Sequence, residues 1–152
     1  MTKILIPSET SSGERRVSAT PEAVKKLKSL GCDVYIESSA GKLSGFSDLS
    51  YEESGGTIIN SSDQKIWGEA DLIFCVQTPS EDNLTNLKKG AVLLGLLNPY
   101  GNKDLLRIIS SNKISALSLE LLPRISRAQS SDVLSSQANI AGYKAVLLAA
   151  SE

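Results

Sequence analysis

Short, mostly apolar runs recur along this chain, and segments with helical spacing or turn-forming residues separate them. The runs that we interpret as strands cover residues 3–7, 33–37, 71–77, 91–97 and 114–117, with a further short candidate at 57–59. A strand that is apolar at consecutive positions is typical of a parallel sheet covered on both faces. Strands that alternate with helices imply right-handed crossovers. The sequence therefore predicts an α/β fold: an open, mostly parallel sheet with helices on both faces, in a flavodoxin-like or Rossmann-like three-layer arrangement.

The segment after the first strand and its loop carries a clear helix signal. Thr20 is a favourable N-cap, and Pro21 suits the first helical position. Val24, Leu27 and Leu30 recur at helical spacing, and the glycine that follows ends the segment. Similar patterns predict helices at residues 48–55, 81–88 and 103–111, and a last helix that begins at residue 131. Residues 8–16, 43–46 and 120–130 are expected to be loops.

Composition narrows the class of protein. The length of 152 residues fits one domain, and an apolar content of 41% indicates a globular core. The formal charge is −1, so no basic excess supports a nucleic-acid-binding face. No run reaches the about 18 consecutive apolar residues of a membrane span. The chain has no histidine, which removes the most common general acid–base group and metal ligand.

The chain contains two cysteines, Cys32 and Cys75. Both lie in apolar, strand-like runs, so we expect two buried free thiols rather than a disulfide. Neither belongs to a CxxC or Cys/His cluster, so the sequence predicts no metal site.

Three predicted loops lie beyond the carboxyl ends of strands, where open α/β sheets bind ligands: residues 8–16, 77–79 and 120–130. The third is the most informative, because Arg124 precedes a helix start where Asp132 and Ser135 share one face. A guanidinium, a carboxylate and a hydroxyl can bracket a carboxamide, since the carboxylate accepts from its NH2 group and the other two donate to its oxygen. An ordinary loop in which Arg124 pairs with Asp132 is the alternative, and the residues alone leave both interpretations open.

No GxGxxG sequence occurs anywhere in the chain. That loop brings the backbone close to a pyrophosphate at a helix N-terminus. We therefore expect that this domain by itself does not hold a dinucleotide in the Rossmann manner.

Two stretches resemble a known family. Residues 123–146 read PRISRAQSSDVLSSQANIAGYKAV and resemble the signature of the alpha subunit of proton-translocating NAD(P) transhydrogenase. The opening, IPSE at 6–9 and GERRVSATPE at 13–22, resembles the start that transhydrogenase shares with alanine dehydrogenase. The chain is thus similar to the alanine dehydrogenase/pyridine nucleotide transhydrogenase N-terminal domain family over nearly its whole length. Ser131 stands where the family usually has methionine, a surface change.

The resemblance implies a role in hydride transfer between NAD(H) and NADP(H), coupled to proton translocation. It implies that four residues bind the nicotinamide end of NAD(H): Arg124, Asp132, Ser135 and Tyr143. It also implies that Gln129 is a catalytic residue that reaches toward the partner bearing NADP(H). Direct hydride transfer between rings requires alignment rather than an acid or base, which fits a chain without histidine.

The resemblance also sets expectations for organisation. Residues 1–152 form the N-terminal domain, and a Rossmann NAD-binding domain is expected after residue 152. The other implied partners are the NADP(H)-binding component and the membrane component, with a homodimer in the full protein. The chain is expected on the cytoplasmic side, peripheral to the membrane through those partners. The apolar run at 145–150 fits a fragment or one subunit of a split protein, inactive alone.

Two alternative functions stay open. One is a truncated, non-catalytic module that binds partners. The other is the N-terminal domain of an alanine dehydrogenase, which resembles this chain but uses a lysine and a histidine on its substrate. The matching stretches here read CVQTP at 75–79 and LLNP at 96–99, with neither residue. Arg16 matches the substrate arginine of that enzyme, and we expect it only to stabilise a loop.

Overall fold

Six parallel strands form one open sheet in this computed structural model, which describes residues 1–151. The strands are β1 (Lys3–Ile6), β2 (Asp33–Glu37), β3 (Thr57–Ile59), β4 (Leu72–Gln77), β5 (Val92–Leu96) and β6 (Ser115–Ser118). Their order across the sheet is β3-β2-β1-β4-β5-β6, and every neighbouring pair is parallel. This is the strand order of a Rossmann sheet. The predicted parallel α/β fold is confirmed.

Within the same residues, six α-helices and three short 3-10 turns accompany the strands. The helices are α1 (Pro21–Ser29), α2 (Asp48–Glu53), α3 (Gln64–Glu69), α4 (Glu81–Thr85), α5 (Lys103–Asn112) and α6 (Val133–Ser151). The 3-10 turns are Lys42–Ser44, Leu119–Leu121 and Ser126–Ser131. Our sequence interpretation missed α3, which is too short to show a helical repeat. Its signals were an aspartate N-cap, Asp63, and the buried pair Ile66 and Trp67.

Apolar side chains pack on both faces of the sheet. Neighbouring strand residues point to opposite faces, so Leu5 and Ile6 of β1 belong to different core clusters. One cluster joins the sheet to α3, α4 and α5 through Trp67, Leu84 and Leu105. The other cluster contains Val24 of α1 and Tyr51 of α2. These two layers confirm the prediction of helices on both faces.

The last predicted loop and helix differ from the structure in their boundary. The helix α6 begins at Val133 rather than at residue 131, and residues 126–131 form a 3-10 turn within the expected loop. The reason is local: the Asp132 carboxylate accepts a hydrogen bond from the backbone N–H of Ser135 at 3.0 Å, which makes Asp132 the N-cap.

The two thiols are free, as predicted, but their burial differs. Cys75 is buried in β4, whereas Cys32 is only half-buried. The correction has a simple cause, since Cys32 lies in the turn before β2 rather than within the strand.

The last helix leaves its apolar side chains exposed. No residue of α6 is buried, although it carries Ile140, Val146, Leu147 and Leu148. The position of α6 at the carboxyl edge of the sheet therefore depends on contacts made by its first turns. Among residues 1–151, no helix combines the length and the apolar character that a membrane crossing requires.

Candidate functional site

The carboxyl ends of β1 and β4 flank the crevice where ligands of open α/β sheets usually bind, because the strand order reverses between these neighbours. Glu9 fills part of this crevice. Its carboxylate accepts hydrogen bonds from the backbone N–H of Val76 at 2.6 Å and of Gln77 at 3.0 Å. Burial raises the pKa of Glu9 above its ordinary value. The backbone donors at the end of β4 thus already have an anionic partner within the chain.

The loop after β1 also contains a tight ion pair. The Arg16 guanidinium donates from Nε to Oε1 of Glu14 at 2.7 Å and from Nη2 to Oε2 at 2.6 Å. The Gln77 amide donates to the same carboxylate at 3.0 Å. These hydrogen bonds, with that from Arg16 the largest contribution, hold the pKa of Glu14 at about 2. Arg16 stabilises a loop, as expected from the sequence, and the pair closes the second side of the crevice.

The predicted nicotinamide-binding residues gather at a different place, the start of α6. A cavity of about 290 Å³ is lined by Arg124, Gln129, Asp132 and Ser135, together with neighbouring residues of the same loop. Ser135 donates from its backbone N–H and from its hydroxyl to the two carboxylate oxygens of Asp132, at 3.0 and 2.6 Å. The hydroxyl bond is the main cause of a lowered pKa for Asp132. Four of the five predicted site residues therefore share one cavity.

Two details differ from the expected arrangement. Arg124 is not among the basic residues that form ion pairs within residues 1–151. Its charge acts on Asp132 only as a minor contribution to the lowered pKa of that carboxyl. Tyr143 does not line the cavity: it is 71% exposed and lies eight residues beyond Ser135 on α6. At the helical rise, that is about 12 Å further along the axis.

Glu120 is an anchoring residue that sequence reasoning missed. Its carboxylate accepts from the backbone N–H of Leu97 at 3.2 Å, from that of Asn98, and from the Ser118 hydroxyl at 2.6 Å. These hydrogen bonds outweigh the effect of desolvation and lower the pKa of Glu120. Glu120 thereby ties the end of β5 to the end of β6, where the predicted site loop begins. An acidic residue just after a short strand was the available signal.

The chain is similar to known proteins along most of its length. The family described as "Alanine dehydrogenase/PNT, N-terminal domain" matches residues 5–141. An NAD(P) transhydrogenase alpha subunit of Rhodospirillum rubrum is 42% identical over 150 residues, or 95% of this chain. A transhydrogenase structure from Sinorhizobium meliloti superposes with a TM-score of 0.91 at 43% identity, covering 99% of this chain. Alanine dehydrogenase 1 of Staphylococcus aureus is 31% identical over 147 residues, or 97% of the chain.

The chain spans about two fifths of the length of these proteins. The matched segment is 39% of the Rhodospirillum subunit, 44% of the Sinorhizobium chain and 38% of the Staphylococcus enzyme. Identity is higher to the transhydrogenases than to the alanine dehydrogenase. Its strand order, the match over residues 5–141 and these relatives together show that the chain belongs to the alanine dehydrogenase/PNT N-terminal domain family.

Proposed function

We propose that this chain belongs to the NAD(H)-side component of a proton-translocating NAD(P) transhydrogenase, and that residues 124–135 cover the nicotinamide of NAD(H). The observation that carries the proposal is the shared cavity of Arg124, Gln129, Asp132 and Ser135. Support also comes from relatives of about 40% identity that are transhydrogenase alpha subunits.

The size of the cavity suits one ring rather than a whole dinucleotide. Its 290 Å³ lies at the lower end of the range for small-molecule pockets, about 300–1,000 Å³. The rest of NAD(H) must therefore contact another region of the complex. We assign that contact to a Rossmann NAD-binding domain, in agreement with the chain's own lack of a GxGxxG loop.

The donors and acceptors of the cavity match a carboxamide. Each carboxylate oxygen of Asp132 accepts one hydrogen bond from Ser135, and each has a further lone pair for the carboxamide NH2 group. The lowered pKa of Asp132 keeps the acceptor ionised near neutral pH. Arg124, free of ion pairs within the described residues, donates to the carboxamide oxygen. The ring is then held in one orientation.

NAD(H), when bound, supplies the ring that gives or receives the hydride. The residues of this chain orient that ring and exclude water, since transfer between two aligned rings needs no acid or base from the protein. Gln129 lines the cavity with an exposed side chain. We assign it the role of fixing the facing NADP(H)-binding component at the distance that hydride transfer requires.

An alanine dehydrogenase activity has less support. Proton transfer to an amino-acid substrate needs a titratable group. Gln77 stands where that enzyme has its lysine, and it donates to Glu14. Asn98 stands where it has its histidine, and it occupies a left-handed turn with a φ of 46°. Neither position carries a group that exchanges protons near neutral pH.

The exposed apolar side chains of α6 support an assembly with further domains. We assign this helix to contact with the Rossmann NAD-binding half, with the NADP(H)-binding and membrane components beyond it. In that assembly the chain is peripheral to the membrane on the cytoplasmic side, and the NAD(H) component is a homodimer. For the chain alone we expect weak or no NAD(H) binding.

The test measures hydride exchange in the assembled complex of this chain, the Rossmann half and the NADP(H)-binding component. With an NAD analogue as acceptor, Gln129→Asn should abolish most of the exchange while NADH binding, followed by fluorescence, stays intact. Shortening the amide by one methylene withdraws it from the facing component without removing its chemistry. Gln64→Asn, the same change on exposed α3, is the matched control and should leave exchange unchanged.

Two results would contradict the proposal. Hydride exchange that is unaffected by Gln129→Asn would remove the assigned role of the loop. Absence of exchange in the wild-type complex, with all components folded and associated, would favour a non-catalytic module that binds partners.

A further inference from the structure

Arg16 makes one contact beyond its ion pair. Two guanidinium nitrogens, Nε and Nη2, are taken by Glu14, and the third, Nη1, donates to Oε1 of Gln137 in α6 at 3.4 Å. Within residues 1–151, this is the only hydrogen bond that joins α6 to any region of the chain before residue 126. Packing gives α6 little further support, since none of its residues is buried and its contacts are chiefly with the Leu119–Leu121 turn.

The support behind Arg16 is rigid. The Glu14 side chain is only 8% exposed, and it is tied to the end of β4 through the Gln77 amide. Glu9 fixes the same loop to the backbone of β4 by two hydrogen bonds. A bidentate pair between arginine and carboxylate also fixes the plane of the guanidinium. The free edge of Arg16 is thus presented to α6 from the central region of the sheet.

Gln137 lies on the first turns of α6, close to the proposed nicotinamide residues. Asp132 caps this helix and Ser135 lies in its first turn, so both move with it. Val133 and Gln137 line, with Arg16, an apolar cleft of about 390 Å³ that separates these turns from β4 and β5. A helix start above an unfilled cleft needs a lateral restraint.

We propose that Arg16 is a positioning residue: through Gln137 it holds the first turns of α6, and with them the loop at 124–135, at a fixed place over the carboxyl edge of the sheet. This inference rests on the proposed function for the effect on hydride transfer, but the coupling between Arg16 and α6 is independent of it. The arginine that matches a substrate ligand of alanine dehydrogenase here has a mechanical role within the chain.

The coupling is tested by amide hydrogen exchange of the chain. Arg16→Lys keeps an ion pair with Glu14 but cannot also reach Gln137, and Gln137→Ala removes the acceptor. Each should speed the exchange of amides at residues 133–140 severalfold, and the double variant should be no faster than the faster single variant. Gln137→Glu, which offers Arg16 a charged acceptor, should slow the same amides. Arg15→Lys is the matched control at an exposed neighbouring arginine and should change nothing.

The positioning role is tested in the assembled complex. Arg16→Lys and Gln137→Ala should each lower kcat for hydride exchange by about 10-fold, because small misplacements of aligned groups are costly. The dissociation constant for NADH should change by less than about 2-fold, since the contacts to the rest of the dinucleotide remain. A general loss of folding would instead lower the thermal midpoint and both quantities together.

The outcomes separate the two proposals. Unchanged exchange of residues 133–140, or strictly additive effects, would overturn the link between Arg16 and α6. Faster exchange with unchanged kcat would overturn its positioning role. A wild-type complex that transfers no hydride, with the coupled protection of α6 still present, would overturn the proposed function and support the link alone.

Discussion

Gly95 is the position where one added methyl group should disturb the sheet most. It lies in β5 beside Cys75 of β4, at the place where the register of the two strands shifts between Phe74 and Gln77. A Cβ at Gly95 would lie 2.7 Å from the Cys75 carbonyl oxygen and 2.7 Å from its Sγ. Glycine in a strand often marks such a close approach of two backbones. We therefore expect Gly95→Ala to force β4 and β5 apart.

The size of the effect follows from what must move. Overpacking a well-packed core typically costs about 1–3 kcal/mol, near the lower value where a flexible side chain can yield. Here the carbonyl belongs to the sheet backbone, so we expect a loss of about 3 kcal/mol in the free energy of unfolding. Cys75→Ala in the same chain removes the sulfur contact but not the carbonyl contact, and should recover only a fraction of the loss. The thiol thus reports how much of the strain is in the side chain.

Urea unfolding followed by circular dichroism measures these changes. Gly142→Ala is the matched control: nothing lies within 4 Å of its Cβ position, and it is in the middle of α6. Alanine there should stabilise the helix, by about 0.5–1 kcal/mol at most. If Gly95→Ala cost less than about 1 kcal/mol, the close approach of β4 and β5 would not be a real constraint on the sheet.

Two further changes have defined outcomes. Trp67→Phe removes the indole N–H that donates to the buried Glu37 carboxylate at 3.0 Å, and should cost about 1–3 kcal/mol in urea unfolding, whereas Tyr100→Phe at an exposed ring should cost nothing. The folded-state pKa of Glu14, about 2, lies below its ordinary 4.5, so its stabilising contribution is complete above pH 4.5 and lost as the pH falls toward 2. The difference in unfolding free energy between wild type and Glu14→Gln should therefore shrink across that window; a constant difference would refute the lowered pKa.

The fold was predictable from the sequence because its strands are apolar at consecutive positions and its helix ends carry standard caps. Thr20 accepts from the backbone N–H of Ala23, as its sequence context indicated. The missed helix α3 has only six residues, and its burial comes from packing on the sheet rather than from any repeat. The start of α6 was placed two residues early, since Asp132 and Ser131 are both acceptable caps and only the folded loop selects between them.

The candidate site was only partly predictable. Local sequence spacing placed Asp132 and Ser135 on one face, and a family resemblance added Arg124 and Gln129, which the fold brings to the same cavity. Tyr143 remains a prediction, because its role depends on a surface outside the described cavity. The Arg16–Gln137 hydrogen bond joins residues 121 positions apart, and no sequence pattern encodes such a contact.

The way this domain fills its own crevice explains why its chemistry lies elsewhere. A Rossmann-ordered sheet offers backbone donors at the ends of β1 and β4, yet Glu9 already occupies those of β4 and Glu14 neutralises the nearby arginine. A second anion placed there would meet a carboxylate at close range, which is unfavourable. The polar groups with spare hydrogen-bonding capacity are those of the loop before α6, in a cavity too small for a dinucleotide and open to solvent. A site of this kind gains its function when a second surface completes it, and the apolar side chains of α6 provide the contact area for that surface.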